Sequence, residues 1–331
     1  MLGKALPILT LGFIHVLFLS VIVLPHFGWW TLLGIVPFFA YSKFEHTRVD
    51  WNIELLFRTV IAFTLGIYIT ILIRSTLDVS SVFASAFLGT IVGLIPEKGS
   101  RIAQLIKHEK LTLYAGSFAG MASLNKFSFP NEIWLCGIIG GLLFYILKNN
   151  FKGLGGKLGS VGFGSLAVFS LTFLFLNELP TLGVISFTNC FALSPLGGLS
   201  FAAKLTIVTI VSIIASALVY WLNNYKNWGG LKASAITSLI FCLPFEVINF
   251  GGLAELVPAV FFGASFVGMA SSKALNWATL ILSGVLFGII YFMLNDVLDA
   301  FGGALGTIAC FSCLIGIVLM GIFGKFKRKI I

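Results

Sequence analysis

The sequence predicts an all-α polytopic membrane protein with about 12 transmembrane segments, arranged as two inverted-topology five-helix repeats with short or broken helices at the centre. Three observations predict this fold: the composition, the series of apolar segments, and a motif that occurs twice. Of the 331 residues, 58% are hydrophobic and 10% are charged, and the mean hydropathy is +1.05. Soluble domains carry about 25% charged residues, so a soluble fold of this size would lack the polar groups to cover its surface.

Twelve apolar segments are long enough to cross, or nearly cross, a bilayer core of about 30 Å. They are Leu6–Leu24, Trp29–Tyr41, Leu55–Ile73, Val79–Ile95, Leu111–Ser123, Ile133–Leu147, Leu158–Leu176, Leu205–Leu222, Ala233–Ile248, Val257–Ser271, Trp277–Leu294 and Leu305–Phe323. The first is predicted to be a retained helix, because no A-x-A cleavage pattern follows it. The stretch Pro180–Ser200 is apolar but broken by proline and glycine, and residues 179–201 are predicted to form a re-entrant or surface connection.

Charge in the connecting loops predicts the orientation. With the N-terminus inside, the inside loops carry most of the lysine and arginine, and the outside loops carry most of the acidic residues. We therefore expect an inner-membrane protein with both termini in the cytoplasm, two N-terminal helices in residues 1–50 and a basic tail in residues 324–331. The formal net charge of +9 then reflects topology, and no nucleic-acid partner is expected. If both short segments were re-entrant, the loops at 148–157 and 226–232 would lie outside instead, against the charge pattern.

A ten-residue motif occurs twice, as YAGSFAGMAS at Tyr114–Ser123 and as FGASFVGMAS at Phe262–Ser271, and six of the ten positions are identical. The flanks also correspond. Gly155–Ser160 parallels Gly302–Thr307, and Ala84–Ala86 parallels Ala233–Ala235. These matches predict repeat A in residues 51–178 and repeat B in residues 202–323. Each holds five crossings, an odd number, so the second repeat is inverted relative to the first, an arrangement typical of secondary transporters with a solute site at the repeat interface.

The motif segments supply the candidate substrate-binding residues. Leu111–Ser123 would reach only about 20 Å as a helix, so non-helical backbone is expected to complete the crossing beside protein or a water-filled cavity. The candidate ligands are Ser117, Gly120, Met121, Ser123, Ser265, Gly268, Met269 and Ser271. The alternative is that the small residues let two helices pack closely and that the methionines fill gaps.

Other side chains give weaker signals. Glu246 lies between apolar residues, and an ionisable residue within the membrane suggests proton or ion coupling, although a position at the membrane boundary explains it equally well. Cys310 and Cys313 have CxxC spacing without a second pair or a nearby histidine, which favours packing over a metal site. The sequence has no HExxH, no P-loop and no plausible catalytic set, so neither an enzyme nor a cofactor is expected.

The sequence therefore predicts a secondary carrier or facilitator that moves a small solute, with Na+ or H+ as candidate coupling ion, between the repeats within the lipid bilayer. A passive channel and a non-transporting membrane subunit or lipid-handling protein are the alternatives, and a homo-oligomer is left open. Saturable counterflow in proteoliposomes would distinguish a carrier from a channel. A polar cavity that reaches Ser117 and Ser265 from opposite faces would favour transport, whereas dry, helix-packed serines would count against it.

Overall fold

The computed structural model describes residues 2–23, 38–41, 44, 47–96, 101–122, 130–175, 200–248, 250–251, 253–298 and 301–329. These residues form helices joined by turns. In chain order the helices are α1 (Leu2–Val23), α2 (Phe38–Tyr41), α3 (Ile53–Leu77), α4 (Ser81–Leu94), α5 (Arg101–Gly120), α6 (Pro130–Leu147), α7 (Lys157–Phe175), α8 (Phe201–Asn224), α9 (Gly230–Val247), α10 (Leu253–Gly268), α11 (Trp277–Leu298) and α12 (Ala304–Lys329).

Several of these helices are long and apolar enough to cross a membrane. Among the described residues, this holds for α3, α8, α9, and the stretches Trp277–Leu294 of α11 and Ala304–Ile322 of α12. An apolar helix needs about 20 residues to span the hydrocarbon core. The architecture is therefore that of a helical membrane protein, as the composition predicts.

One predicted segment is wrong in its bounds. Leu111–Ser123 was expected to be a short apolar piece, but α5 begins ten residues earlier, at Arg101, and ends at Gly120. At 1.5 Å per residue its 20 residues extend about 30 Å. The charged residues before Leu111 lower the hydropathy, yet lysine, arginine and glutamate are good helix formers, so the helix continues through them. α10, with 16 residues, remains short. The segment Trp29–Tyr41 and the stretch Pro180–Ser200 lie largely outside the described residues.

Side-chain caps fix where three helices begin. The side chain of Asn52 accepts a hydrogen bond from Leu55 N at the start of α3. Ser80 does the same for Phe83 N at the start of α4, and Ser200 for Ala203 N at the start of α8. Each cap satisfies one of the backbone N–H groups that have no partner within the helix.

The helices of the two halves of the chain have the same packing partners. In residues 53–175, α3 packs against α5 and α6, and α7 packs against α5 and α6. In residues 201–329, α8 packs against α10 and α11, and α12 packs against α10 and α11. Across the halves, α4 packs against α9, and α7 against α12. Within each half, the first and fifth helices both pack against the third and fourth. The two halves contact each other through their second helices (α4 and α9) and their fifth helices (α7 and α12).

Loop contacts define one end of the bundle, here called the basic end. Thr47 N donates to Asn150 Oδ1 (2.8 Å), Ser271 N donates to the Gly153 carbonyl (3.0 Å), and Ser272 N donates to Asn224 Oδ1 (2.8 Å). These bonds join the loops after α2, α6, α8 and α10. Cationic residues at this end include Arg48, Lys110, Lys148, Lys152, Lys157, Lys226, Lys232 and Lys273.

The opposite end of the bundle contains the end of α3, the start of α4 and the end of α9. There the carboxylate of Glu246 accepts hydrogen bonds from Ser80, and Arg74 contacts the carbonyl end of α5. Helix α5 therefore runs from the basic end to the opposite end. Helix α10 runs the other way, because Met269 after its last turn packs beside Gly230 at the basic end. The two copies of the motif thus lie on helices of opposite direction.

Arg74 is expected to stabilise the end of α5. Its Nη1 donates to the carbonyls of Gly120 (3.3 Å) and Ala122 (2.6 Å), which have no partner further along the helix. Arg74→Met should lower the free energy of unfolding by about 2 kcal/mol, the cost of leaving such acceptors without a donor. Arg58→Met is the matched control, because the Arg58–Glu54 pair is exposed and should contribute less than about 1 kcal/mol. Thermal unfolding of both variants in detergent measures the two losses of stability. Equal decreases in melting temperature would contradict a stabilising role of Arg74.

Candidate functional site

The serines of the two motifs are buried inside the helix packing. Ser117 and Ser265 have no exposed surface. Ser117 Oγ donates to the Tyr114 carbonyl (2.8 Å), and Ser265 Oγ donates to the Phe262 carbonyl (2.6 Å). Because the hydroxyl protons of Ser117 and Ser265 are used in these bonds, a serine on the neighbouring helix must donate to each of the two oxygens. Ser85 donates to Ser117 Oγ (2.8 Å), and Ser234 donates to Ser265 Oγ (2.6 Å). By the criterion set out above, these packed hydroxyls count against transport along a path lined by Ser117 and Ser265.

The motif glycines lie where two helices approach closely. α5 ends at Gly120 and α10 ends at Gly268, which are equivalent positions of the motif. A Cβ at Gly120 would lie 2.8 Å from the Ile67 carbonyl of α3, and one at Gly268 would lie 2.5 Å from the Ser216 carbonyl of α8. Only glycine permits this approach, and close packing is sufficient to explain both residues.

The remaining motif residues lie near the two ends of the bundle. Met269 lines a cavity at the basic end and Met121 lines one at the opposite end. Ser271 is half-buried at the basic end, where its backbone N–H donates to Gly153. Ser123 lies outside the described residues.

The larger cavity, cavity 1, has a volume of about 640 Å³ and lies at the basic end between the two halves. Its deep wall is apolar and includes Phe118, Phe144, Leu158 and Phe266. Its rim is polar and carries four ionisable side chains, Glu109, Lys148, Lys152 and Lys157. The volume falls within the roughly 300–1,000 Å³ range of small-molecule sites.

The smaller cavity, cavity 2, has a volume of about 80 Å³ and lies at the opposite end. Most of its lining residues correspond to residues that line cavity 1 when the repeats are aligned. Met121 corresponds to Met269, the pair Ser81–Val82 to Gly230–Leu231, and Gly303–Leu305 to Gly156–Leu158. Cavities with partly equivalent linings therefore lie at both ends of the bundle, and the one at the basic end has the larger volume.

Aromatic rings of the two motifs pack together beside cavity 1, and we call this cluster the partition. Phe118 and Phe266, one from each motif, meet edge to face with centroids 4.9 Å apart. Tyr114 packs on Phe118 (4.5 Å) and Phe262 packs on Phe266 (4.7 Å), and all four rings are buried. Although the Phe118 ring lines cavity 1, its backbone carbonyl lies against Gly302 of cavity 2. Phe118 is thus part of the partition between the two cavities.

The cationic rim of cavity 1 is held by specific contacts. Lys157 Nζ donates to the carbonyls of Leu147 (3.2 Å) and Asn150 (2.8 Å). Lys148 Nζ lies 3.9 Å from the centre of the Tyr145 ring, a cation–π contact. Partial burial lowers the pKa of Lys148, and the nearby Glu109 carboxylate opposes that shift.

Glu246 lies at the opposite end of the bundle, where it is partly exposed. Its carboxylate accepts hydrogen bonds from Ser80 N (3.2 Å) and from Ser80 Oγ, at the N-terminus of α4. The helix dipole favours an anion there. This position matches the membrane-boundary alternative, and coupling by Glu246 stays a prediction.

Sequence reasoning missed the residues that form the cavity walls. The available signal was that Phe118 and Phe266 occupy the same position in the two copies of the motif and are the same residue. The candidate ligands were instead the neighbouring serines, glycines and methionines. Lys157 lies in the parallel pair Gly155–Ser160 and Gly302–Thr307, and the second copy has Ala304 at its position, a difference that the sequence shows. Within the described part of the chain, no cluster of three His, Cys, Asp or Glu side chains could hold a metal ion.

Comparison with known proteins gives no match: no protein-family model, curated protein or solved structure is significantly similar to this chain.

Proposed function

We propose that this chain is a membrane transporter in which two inverted five-helix repeats expose cavity 1 and cavity 2 in turn to a small solute. The observation that carries the proposal is the pair of cavities, lined by equivalent residues at opposite ends of the bundle and unequal in volume. In repeats related by a two-fold axis, an exchange of conformation between the halves closes one cavity and opens the other. The state described here is then the one open at the basic end.

The inverted relation of the repeats is supported by the opposite directions of α5 and α10 and by the matching helix partners in each half. It is also supported by a reciprocal contact between α7 and α12. A Cβ on Gly159 would lie 2.5 Å from Gly306 Cα, and a Cβ on Gly306 would lie 2.5 Å from Gly159 Cα. Such mutual contacts between equivalent residues arise on a two-fold axis.

The partition favours a carrier over a channel. A passive channel needs a continuous path, whereas Phe118 and Phe266 meet between the cavities. The lysine-rich basic end is assigned to the cytoplasm by the positive-inside rule.

Cysteine accessibility tests the proposal without knowledge of the solute. Met269→Cys in cavity 1 should react with an impermeant anionic methanethiosulfonate reagent applied from the basic end. Met121→Cys in cavity 2 should react only from the opposite end and about tenfold or more slowly, because a minor conformation is populated at about 10% or less. The rates are measured in vesicles of both orientations, with Cys190→Ser as background, since the other cysteines are buried.

Each alternative gives a different labelling pattern. Reaction of both cysteines from both sides would indicate a channel. A Met121→Cys that never reacts from the opposite end, in protein whose Met269→Cys does react, would contradict alternating access and favour a non-transporting subunit. Gly284→Cys, on α11 and in neither cavity lining, is the control for non-specific opening.

A further inference from the structure

The ionisable side chains around cavity 1 are not balanced in charge. Three lysines and one glutamate line it. Glu109 accepts from Thr112 Oγ1 (3.2 Å) and attracts Lys148, and one lining carboxylate against three lysines leaves the lining with a net positive charge. A cleft with low-dielectric walls and one sign of charge concentrates ions of the other sign.

Lys157 is placed to bind a ligand as well as to cap a helix. Its ammonium group has three N–H donors, and two of them are used by the carbonyls of Leu147 and Asn150. Carbonyl partners position the ammonium group without cancelling its charge. The equivalent position in cavity 2 is Ala304, and none of the residues lining cavity 2 is Lys, Arg, Asp or Glu.

The deep wall of cavity 1 has a different character. Phe118, Phe144 and Phe266 present aromatic surface there, with Leu158, Leu231 and Met269 beside them. A ligand that satisfies both regions needs an anionic group towards the lysines and an apolar body towards the rings.

We propose that cavity 1 binds an organic anion, a carboxylate or phosphate attached to an apolar body about the size of a benzene ring. The inference rests on the proposed function in one respect, since it names the class of solute that the transporter carries. The same chemistry occurs in free metabolites and in the headgroups of anionic lipids, and the experiment separates these two sources.

Other lysines at the basic end are explained by topology alone and provide controls. Lys226 lies over the Trp221 ring (5.0 Å) and Lys232 over the Trp228 ring (5.3 Å), and neither lines cavity 1. If positive charge at the basic end acted in a general way, replacing Lys226 or Lys232 by glutamine would weaken anion binding as much as replacing a lysine of the cavity. An effect of the cavity would appear at Lys152 and Lys157, which line it, and not at Lys226 or Lys232.

Benzoate is the probe, and its binding to the purified full-length chain in detergent is measured by isothermal titration calorimetry. Benzoate should bind at least about tenfold more tightly than neutral benzamide, and benzylammonium should not bind, because one charge-assisted contact is worth a factor of ten or more. Lys152→Gln and Lys157→Gln should each weaken benzoate about tenfold. Lys226→Gln should leave the affinity unchanged, and Glu109→Gln should increase it.

Three results would overturn the inference: equal affinity for benzoate and benzamide, equal loss in Lys226→Gln and Lys152→Gln, or a benzoate Kd above about 1 mM. Lys152 is exposed, so its variant remains informative if Lys157→Gln fails to fold. Displacement of benzoate by phosphatidylglycerol would identify a lipid as the source of the anion, and no displacement would identify a free organic anion.

Binding and transport can fail separately. Benzoate binding without alternating cysteine accessibility would retain the anion site and reject the carrier. Alternating accessibility without anion selectivity would retain the carrier and reject the anion site.

Discussion

Gly159→Ala is expected to destabilise the protein by about 3 kcal/mol or more, the upper range for overpacking a close contact. The added Cβ would lie 2.5 Å from Gly306 Cα, 3.0 Å from Gly306 N and 3.2 Å from the Gly303 carbonyl. All three atoms are backbone, so no side chain can turn away to make room. α7 and α12 would have to separate at the point where the two halves meet.

Gly306→Ala should have a similar effect, because its Cβ would meet Gly159 in the same way. Gly284→Ala is the matched control. Its Cβ would meet Ser216 Oγ at 3.2 Å and other atoms at 3.5 Å, and alanine raises helix propensity by about 1 kcal/mol over glycine. Thermal unfolding and size-exclusion chromatography in detergent provide the comparison. If Gly159→Ala is as stable as Gly284→Ala, α7 and α12 do not cross as described.

Long uniform apolar runs made much of the fold predictable. α3, α8 and α11 begin within a few residues of their predicted starts, because hydropathy and helix length agree there. α5 was mispredicted because four of its first ten residues are charged, and hydropathy reports burial in lipid rather than helix formation. Both copies of the repeated motif end a helix at the equivalent glycine, Gly120 or Gly268.

The site was less predictable, because a helix can present several faces and the sequence does not say which one meets a cavity. In α5, Gly116 and Gly120 face α3, Ser117 faces Ser85 of α4, and Phe118 faces cavity 1. That assignment depends on how α3 and α4 pack around α5. The difference in volume between cavity 1 and cavity 2 could not be read from the motif, because a nearly identical motif borders both.

The partition gives the prediction with the largest expected functional effect. Phe118→Ala should let the methanethiosulfonate reagent reach Met121→Cys from the basic end, about tenfold or more faster than in the parent Met121→Cys protein, because the ring that closes the bottom of cavity 1 is removed. Phe266 still stands opposite, so Phe118→Ala with Phe266→Ala should increase the rate further. Phe118→Leu retains apolar bulk and should have a smaller effect.

Loss of a large buried ring also costs about 3–5 kcal/mol of stability, so general loosening must be distinguished from opening of the partition. Phe287→Ala supplies that control, because Phe287 is equally buried yet lines neither cavity. It should destabilise the protein to a similar extent while Met121→Cys remains unreactive from the basic end. Unchanged labelling in a folded Phe118→Ala protein would show that the solute path does not pass between the motif phenylalanines. Increased labelling in Phe118→Ala but not in Phe287→Ala would show that the Phe118 ring separates cavity 1 from cavity 2.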